Sequence, residues 1–157
     1  RAEAVDAVAA IPKPTVAACH GDVVGGGAEI SIACDLRVGG SNLRMRFPGA
    51  ALGMPVGPAR LVTLCGLAAA KYLLLTSRTV GPDEALRLTL VNRVAPAAAT
   101  EASALELATA VAAHPPEAVA RLKRMLHAWD DVEGRSKAEG IGQVDWARTG
   151  PGLPQPD

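Results

Sequence analysis

Glycines at a strand-to-helix turn leave backbone N–H groups free and approachable, and the segment His20 to Asp35, HGDVVGGGAEISIACD, carries Gly25, Gly26 and Gly27 in succession. Such a turn can cradle an anion. It is not a P-loop, because no Lys-Ser/Thr pair follows, and Ile30 stands where the third glycine of a GxGxxG dinucleotide fingerprint belongs. The remaining use of free N–H groups is an oxyanion hole, in which a donor is aimed at an oxygen that gains charge during reaction. With a helix beginning near Gly25, Gly26 and Glu29 lie on one face, so an amide donor and a carboxylate point toward one place. That combination sets an acid/base group beside an electrophile holder. Spacing alone reads Glu29 first as an N-terminal carboxylate favoured by the helix dipole, worth about 0.3–1 kcal/mol. It reads the glycines equally as close packing of helix on strand.

Other reactive residue types carry less. Cys19 and His20 are neighbours in an extended segment and point to opposite faces, so they do not make a thiol–imidazole dyad. Asp22 before the glycines reads as an Asx turn, and Asp35 with Arg37 as a structural ion pair or cap. His114 and His127 have no second ligand at helical spacing, and no metal site is expected. Arg121, Lys123 and Arg124, interleaved with Leu122, Met125 and Leu126, read as the solvated face of an amphipathic helix.

The elements that must position the glycine turn alternate along the chain. Ala2, Val5, Val8 and Ala9 recur at helical spacing until Ile11-Pro12-Lys13-Pro14 forces extended backbone. Thr15 to Cys19 reads as a buried strand, Glu29 to Cys34 as a helix with Ile30 and Ala33 on one side, and Asp35 to Val38 as a second strand. Strand, glycine turn, helix, strand is the grammar of an α/β domain. Phe47 to Pro58, FPGAALGMPVGP, is a loop with backbone to spare for a ligand or a tight corner. Beyond it, Leu61 to Cys65, Ala68 to Leu75 and Asp83 to Leu88 read as helices and Leu90 to Val94 as a strand. Ala104 to Ala113, Pro116 to Trp129 and, with a weaker pattern, Glu133 to Ala147 are further helices ahead of a frayed GPGLPQPD tail. The Leu73-Leu74-Leu75 run is core.

Composition narrows the classes. At 157 residues the chain suits one domain with a sizeable core. Sixteen Lys+Arg balance sixteen Asp+Glu, so no global charge advertises nucleic acid or anionic lipid, and 3% aromatics leave little to stack on bases. Apolar stretches such as Gly66 to Ala70 and Leu73 to Leu75 are broken well before the roughly 20 residues of a membrane span. Three cysteines make neither an even set nor a CxxC, which places the protein in a reducing, cytoplasmic setting. Residue 1 is Arg and AEAVDAVAA already reads as the body of a helix, so the chain reads as beginning inside a larger protein.

An ordered set of motifs then carries a resemblance. Lys13-Pro14, Gly25-Gly26-Gly27-x-Glu29, Ala33-Cys34-Asp35-Leu36-Arg37, Leu52-Gly53, Leu73-Leu74-Leu75-Thr76-x-Arg78, Glu84-Ala85 and Leu90-Val91-Asn92-Arg93-Val94 occur here in sequence. In that order and spacing the chain resembles the crotonase (enoyl-CoA hydratase/isomerase) superfamily, from residue 1 to about Trp129 and more loosely to the tail. The resemblance implies the C-terminal portion of a crotonase-like ββα spiral of the α/β class. Residues 1–96 would be the core and residues 97–157 a helical region that in the family builds trimers and hexamers. It implies acyl-CoA thioester chemistry with Gly26 as oxyanion donor and Glu29 as general acid/base. Gly25, Gly27, Pro48, Gly49, Leu52 and Lys123 would be substrate contacts, Lys123 toward the CoA phosphates. CoA enters with the substrate, and no metal or redox cofactor is implied.

One departure matters. The family's second glutamate follows a proline ahead of the Leu-Gly pair, and the matching dipeptide is Pro48-Gly49. The first oxyanion donor belongs to a segment upstream of this chain, and Leu52 to Arg60 is a few residues shorter than usual in the family. Water addition to a 2-enoyl-CoA is the expected reaction of the parent protein. A non-catalytic acyl-CoA-binding or assembly module, or an isomerase or thioesterase of the same superfamily, stands beside it.

Overall fold

The computed structural model describes residues 2–152. The expected frayed tail falls, from residue 153 on, outside them. Helix α1 (Ala2–Ala9) ends at the proline pair, and its Val5 and Ala9 are buried against Ala33. Then the chain winds through two ββα turns, β1 (Val16–Cys19), β2 (Asp22–Val24) and α2 (Gly26–Ala33), followed by β3 (Leu36–Gly40), β4 (Arg44–Arg46) and α3 (Pro58–Thr76). A shorter third passage holds β5 (Thr79–Val80), α4 (Pro82–Arg87) and β6 (Arg93–Ala95), and three helices close the chain: α5 (Thr100–Ala112), α6 (Pro116–Trp129) and α7 (Val132–Thr149).

Each turn of the winding adds one strand to each of two sheets. The first has the order β1-β3-β6, all parallel, with Val16 opposite Leu36 and Val38 opposite Arg93. The second is β2-β4-β5, with Asp22 opposite Arg44 in parallel and Met45 opposite Val80 antiparallel. Between sheets and helices lies an aliphatic core of Leu43, Met45, Leu61, Leu73, Leu90 and Val91. Helix α5 buries Ala104 beside Val38 and Ala95, so it packs on the first sheet.

Several expectations need correcting. Strands β2, β4 and β5 are two or three residues long, too short for any alternation to show. Asp22 is therefore a strand residue, 3.4 Å from Arg44, and not an Asx turn. On α2 the buried side is Ala28, Ser31, Ile32 and Ala33, while Ile30 is 42% exposed. Leu73 is core but Leu75 is 75% exposed. The two helical segments on either side of Gly66 are present as read: α3 is two helical arms parted at Gly66, whose φ of 80° and ψ of 160° are not helical. By length and composition alone α3 is apolar enough to cross a membrane, but the break at Gly66 leaves neither arm long enough for a span. Core helices pass the same test, and Leu61, Ala70 and Leu73 of α3 are buried in the core.

Lys123 departs furthest from its expected place. Its side chain is 7% exposed, and Nζ donates to Asp35 Oδ2 at 2.7 Å and to the Lys13 carbonyl at 3.1 Å. Asp35 also accepts from Thr15 N at 2.7 Å and faces His127 Nε2 at 3.4 Å. One carboxylate thus ties the start of β1 to α6. Neither a solvated charge nor an ammonium available to CoA phosphates fits this arrangement. Asp35 and Arg37 are not each other's partners either, since the buried Arg37 donates to the carbonyls of Leu90 at 2.7 Å and Cys34 at 2.6 Å.

Breaking a buried pair strands the remaining charge, so Lys123→Ala is expected to lower stability by about 3 kcal/mol, the lower end for such pairs because Thr15 and His127 still serve Asp35. Urea denaturation measures it. Affinity for a CoA thioester should stay within a few fold of the parent, and a large loss of affinity without loss of stability would restore the phosphate contact.

Candidate active site

The glycine turn is built by two strands meeting one helix. Gly25 has φ 57° and ψ −115°, a conformation that side chains resist; its N–H donates to the Arg46 carbonyl of β4 at 3.0 Å, and its carbonyl accepts from Glu29 N at 2.9 Å. Gly26 therefore opens α2, where its N–H has no carbonyl four residues back within the helix. A Cβ on Gly27 would meet nothing within 4 Å, so the flank of the turn is open. One turn on, Glu29 is half-buried, and its Oε1 lies 3.9 Å from where a Cβ on Gly57 would stand.

Gly57 comes from the loop between β4 and α3. Arg46 Nε donates to the Ser77 carbonyl at 2.5 Å, and Ala51 N donates to Ser77 Oγ at 3.2 Å, so the loop is tied to the end of α3. Within it, Leu52 N bonds the Pro48 carbonyl at 3.1 Å and Met54 N the Gly49 carbonyl at 2.8 Å, around a 3-10 turn at Ala50–Leu52. Gly49 is buried, and a Cβ there would stand 2.6 Å from the Met54 carbonyl oxygen and 2.8 Å from Val56 Cγ2. The loop closes on itself at Gly49. The expectation that this loop has backbone to spare fails at the position where the family pattern puts a carboxylate. Leu52, by contrast, is 45% exposed at the loop's outer edge.

A carboxylate does stand across from Glu29, and it comes from α7. Glu139 Oε1 accepts from Gly57 N at 2.7 Å and Oε2 from Ala59 N at 2.9 Å, so it caps the start of α3, whose N-cap glycine has no side chain of its own. Gln143 Nε2 donates to Glu139 Oε1 at 2.8 Å, and Trp146 Nε1 reaches the Gly53 carbonyl at 2.8 Å. Glu29, Gly57, Arg60, Ser136, Glu139 and Gln143 line a small cavity of about 40 Å³. Sequence reading missed this face. Its signal was the spacing Ser136-x-x-Glu139-x-x-x-Gln143, a polar stripe at helical period on a helix whose apolar pattern is weak.

The other candidates lie elsewhere. A mostly apolar hollow of about 490 Å³ separates α6 from α2, β3 and α3; it takes in Ile32, Leu64, Leu122 and Lys123, whereas Glu29 belongs to the smaller cavity. Cys19 is buried, and burial pushes its thiol up from the ordinary value, away from the thiolate a nucleophile needs. Among the described residues, no three His, Cys, Asp or Glu side chains cluster as a metal ion would require.

Comparison with known proteins gives concordant results. The family model described as enoyl-CoA hydratase/isomerase matches residues 2–142. A short-chain-enoyl-CoA hydratase of Clostridium acetobutylicum is 37% identical over 120 residues, covering 74% of this chain and 46% of the relative. A crotonyl-CoA hydratase of Syntrophomonas wolfei is 40% identical over 90 residues, covering 55% of this chain and 35% of the relative. The chain thus spans half or less of the length of these relatives. Among solved structures, ThnE from S. clavuligerus superposes with a TM-score of 0.82 at 28% identity, over 90% of this chain and 70% of that one. Pseudomonas aeruginosa DspI gives 0.76 at 32%, over 80% and 53%.

The closed backbone at Gly49 has a measurable consequence. Gly49→Ala and Gly49→Glu should destabilise by similar amounts, about 1–3 kcal/mol as for overpacking, because the first carbon and not the carboxylate meets Met54 and Val56. Chemical denaturation of both variants compares them. A stable Gly49→Glu protein would show that the loop opens more readily than its hydrogen bonds imply.

Proposed function

Since the chain belongs to the enoyl-CoA hydratase/isomerase family and has the crotonase-like fold, we propose that the protein carrying it adds water across the double bond of a 2-enoyl-CoA, a lyase reaction of fatty acid metabolism. The observation that carries the reading is the opening of α2, where the Gly26 N–H and the Glu29 carboxylate share one helix face beside an open flank. In this mechanism the thioester carbonyl accepts the Gly26 N–H, which strengthens as the oxygen gains enolate charge. Glu29 takes a proton from water as its oxygen bonds the β-carbon. Gly25 and Gly27 let the thioester approach the turn closely, and Pro48, Gly49 and Leu52 wall the acyl side.

A binding or assembly role without catalysis is the second reading, and the closed backbone at Gly49 is what favours it, because the carboxylate expected there has no room. Assembly into a homo-trimer or hexamer, through residues 97–157 acting as a helical unit beside the core of residues 1–96, belongs to the same proposal. Leu105 at 68%, Trp129 at 76% and Ile141 at 64% exposure leave large apolar side chains on that region with no cover within one chain. A cytoplasmic setting agrees with the three cysteines, all free thiols.

Loss of enoyl-thioester absorbance on crotonyl-CoA tests the reading directly. Glu29→Gln should lower the rate by about 10²–10⁴ while CoA thioester affinity stays within a few fold. Gly26→Pro should lose about 10²–10³ from the missing donor alone. A Glu29→Gln protein as fast as the parent would remove that carboxylate from the mechanism. Sedimentation should find an oligomer, and a monomer at micromolar concentration would remove the assembly proposal.

A further inference from the structure

Water addition needs a water held in place, and the small cavity beside Glu29 has the lining for one. Its volume of about 40 Å³ accommodates a water, which needs at least about 10–15 Å³ on this measure. Its polar lining includes Glu29, Ser136 and Glu139. Among the described residues, Ser136 Oγ is the buried side-chain oxygen that lacks a hydrogen-bond partner. A buried hydroxyl left unsatisfied calls for a partner in the space it faces. Glu139 is oriented into the same space: Oε1 accepts two N–H groups, from Gly57 and Gln143, while Oε2 accepts one from Ala59 and keeps a lone pair for another donor.

We infer that α7 supplies the second carboxylate of the reaction centre, with Glu139 and Ser136 holding the attacking water against Glu29. The inference rests on the hydratase reading above. It also answers the absence of a carboxylate at Gly49. The water donates one O–H to Glu29 and the other to Glu139 Oε2 and accepts the Ser136 hydroxyl, leaving one lone pair for the substrate. As that pair forms the C–O bond at the β-carbon, the π electrons of the enoyl double bond move onto the thioester oxygen at Gly26, and the water's proton passes to Glu29. The enolate then collapses, taking that proton at the α-carbon, and Glu29 is regenerated. No co-reactant is consumed, and Glu139 remains an acceptor throughout.

The test uses the complete gene product that carries this chain, with crotonyl-CoA for hydration and butyryl-CoA in D₂O for exchange of the α-proton. Exchange requires Gly26 and Glu29 but no attacking water. Glu139→Gln is expected to lower kcat for hydration by about 10²-fold, with KM within a few fold and exchange unchanged. Ser136→Ala, which removes an unsatisfied hydroxyl and so should fold at least as well as the parent, is expected to lower hydration about 10-fold and leave exchange unchanged. Equal losses of hydration and exchange in both variants, or parent-like hydration in both, would overturn the assignment and leave Glu139 as a cap of α3. A parent that exchanges the α-proton without hydrating crotonyl-CoA would defeat the hydratase reading itself. The water site is then decided by a high-resolution crystal structure: an ordered water on Glu29, Ser136 Oγ and Glu139 Oε2 upholds it, and a cavity without one overturns it.

Discussion

The turn at Gly25 is the constraint on which the arrangement depends. Its positive φ ends β2 and starts α2 with no intervening loop, and its N–H is held by the carbonyl of Arg46 in the neighbouring strand. A residue with a side chain would strain that conformation by roughly 1–3 kcal/mol. Moving the helix start by one residue would turn Glu29 by about 100° around the helix axis, given 3.6 residues per turn, and carry it off Gly57. Because the same bond anchors β4, the loop that follows β4 starts from a fixed point. Glu29 is thus placed by the two strands that flank the turn, and Gly57 is held by its hydrogen bond to Glu139.

That loop closes on itself without room for a side chain at Gly49. At Gly49 the chain adopts helical dihedrals and folds back so that Met54 N bonds its carbonyl, and the space a side chain would need is filled by backbone. The segment from Leu52 to Arg60 presents Gly57 and Ala59 as N–H donors at the start of α3. Orphan donors at a helix start attract an anion. In this chain the anion is Glu139, which arrives from 80 residues further along and not from the loop. The carboxylate across from Glu29 comes from α7, and its backbone hydrogen bonds fix it there.

The extent to which this was legible in the sequence follows from the range of the interactions. Helices α1, α4 and α6 were readable because their periodicity and their proline or glycine boundaries are local, α2 was found from its glycine boundary although its buried face was misread, and the break in α3 was marked by Gly66. Strands of two or three residues have no period to read, so β2, β4 and β5 were invisible. Gly26 and Glu29 could be paired because three positions on a helix are near neighbours. Lys123 could not be placed, since its amphipathic surroundings describe a surface helix and its partner Asp35 lies 88 residues away. Glu139 was hidden for the same reason, on a helix whose stripe faces a polar cavity and not the core, so the hydrophobic pattern that finds helices weakens where this one matters.

These two long-range contacts lie on consecutive helices, α6 and α7. No residue of α7 is buried, so its place rests on hydrogen bonds, those of Glu139 to Gly57 N and Ala59 N in its middle and others at its two ends. At one end Trp146 bonds the Gly53 carbonyl; at the other, a tight corner joins α7 to α6, with Asp131 at φ 51° and Arg135 bonded to Asp130. Helix α6 is in turn pinned to the core by Lys123 on Asp35, in a region where the adjoining hollow of about 490 Å³ leaves little else in contact. A buried ion pair adds little net stability once desolvation is counted, but it is directional, since the ammonium has no other place to go. Lys123 therefore ties α6 to the core, and the corner at Asp131 leads from α6 into the helix that carries Ser136 and Glu139. The basic residue that resembled a contact for the substrate's phosphates is instead the buried partner of Asp35.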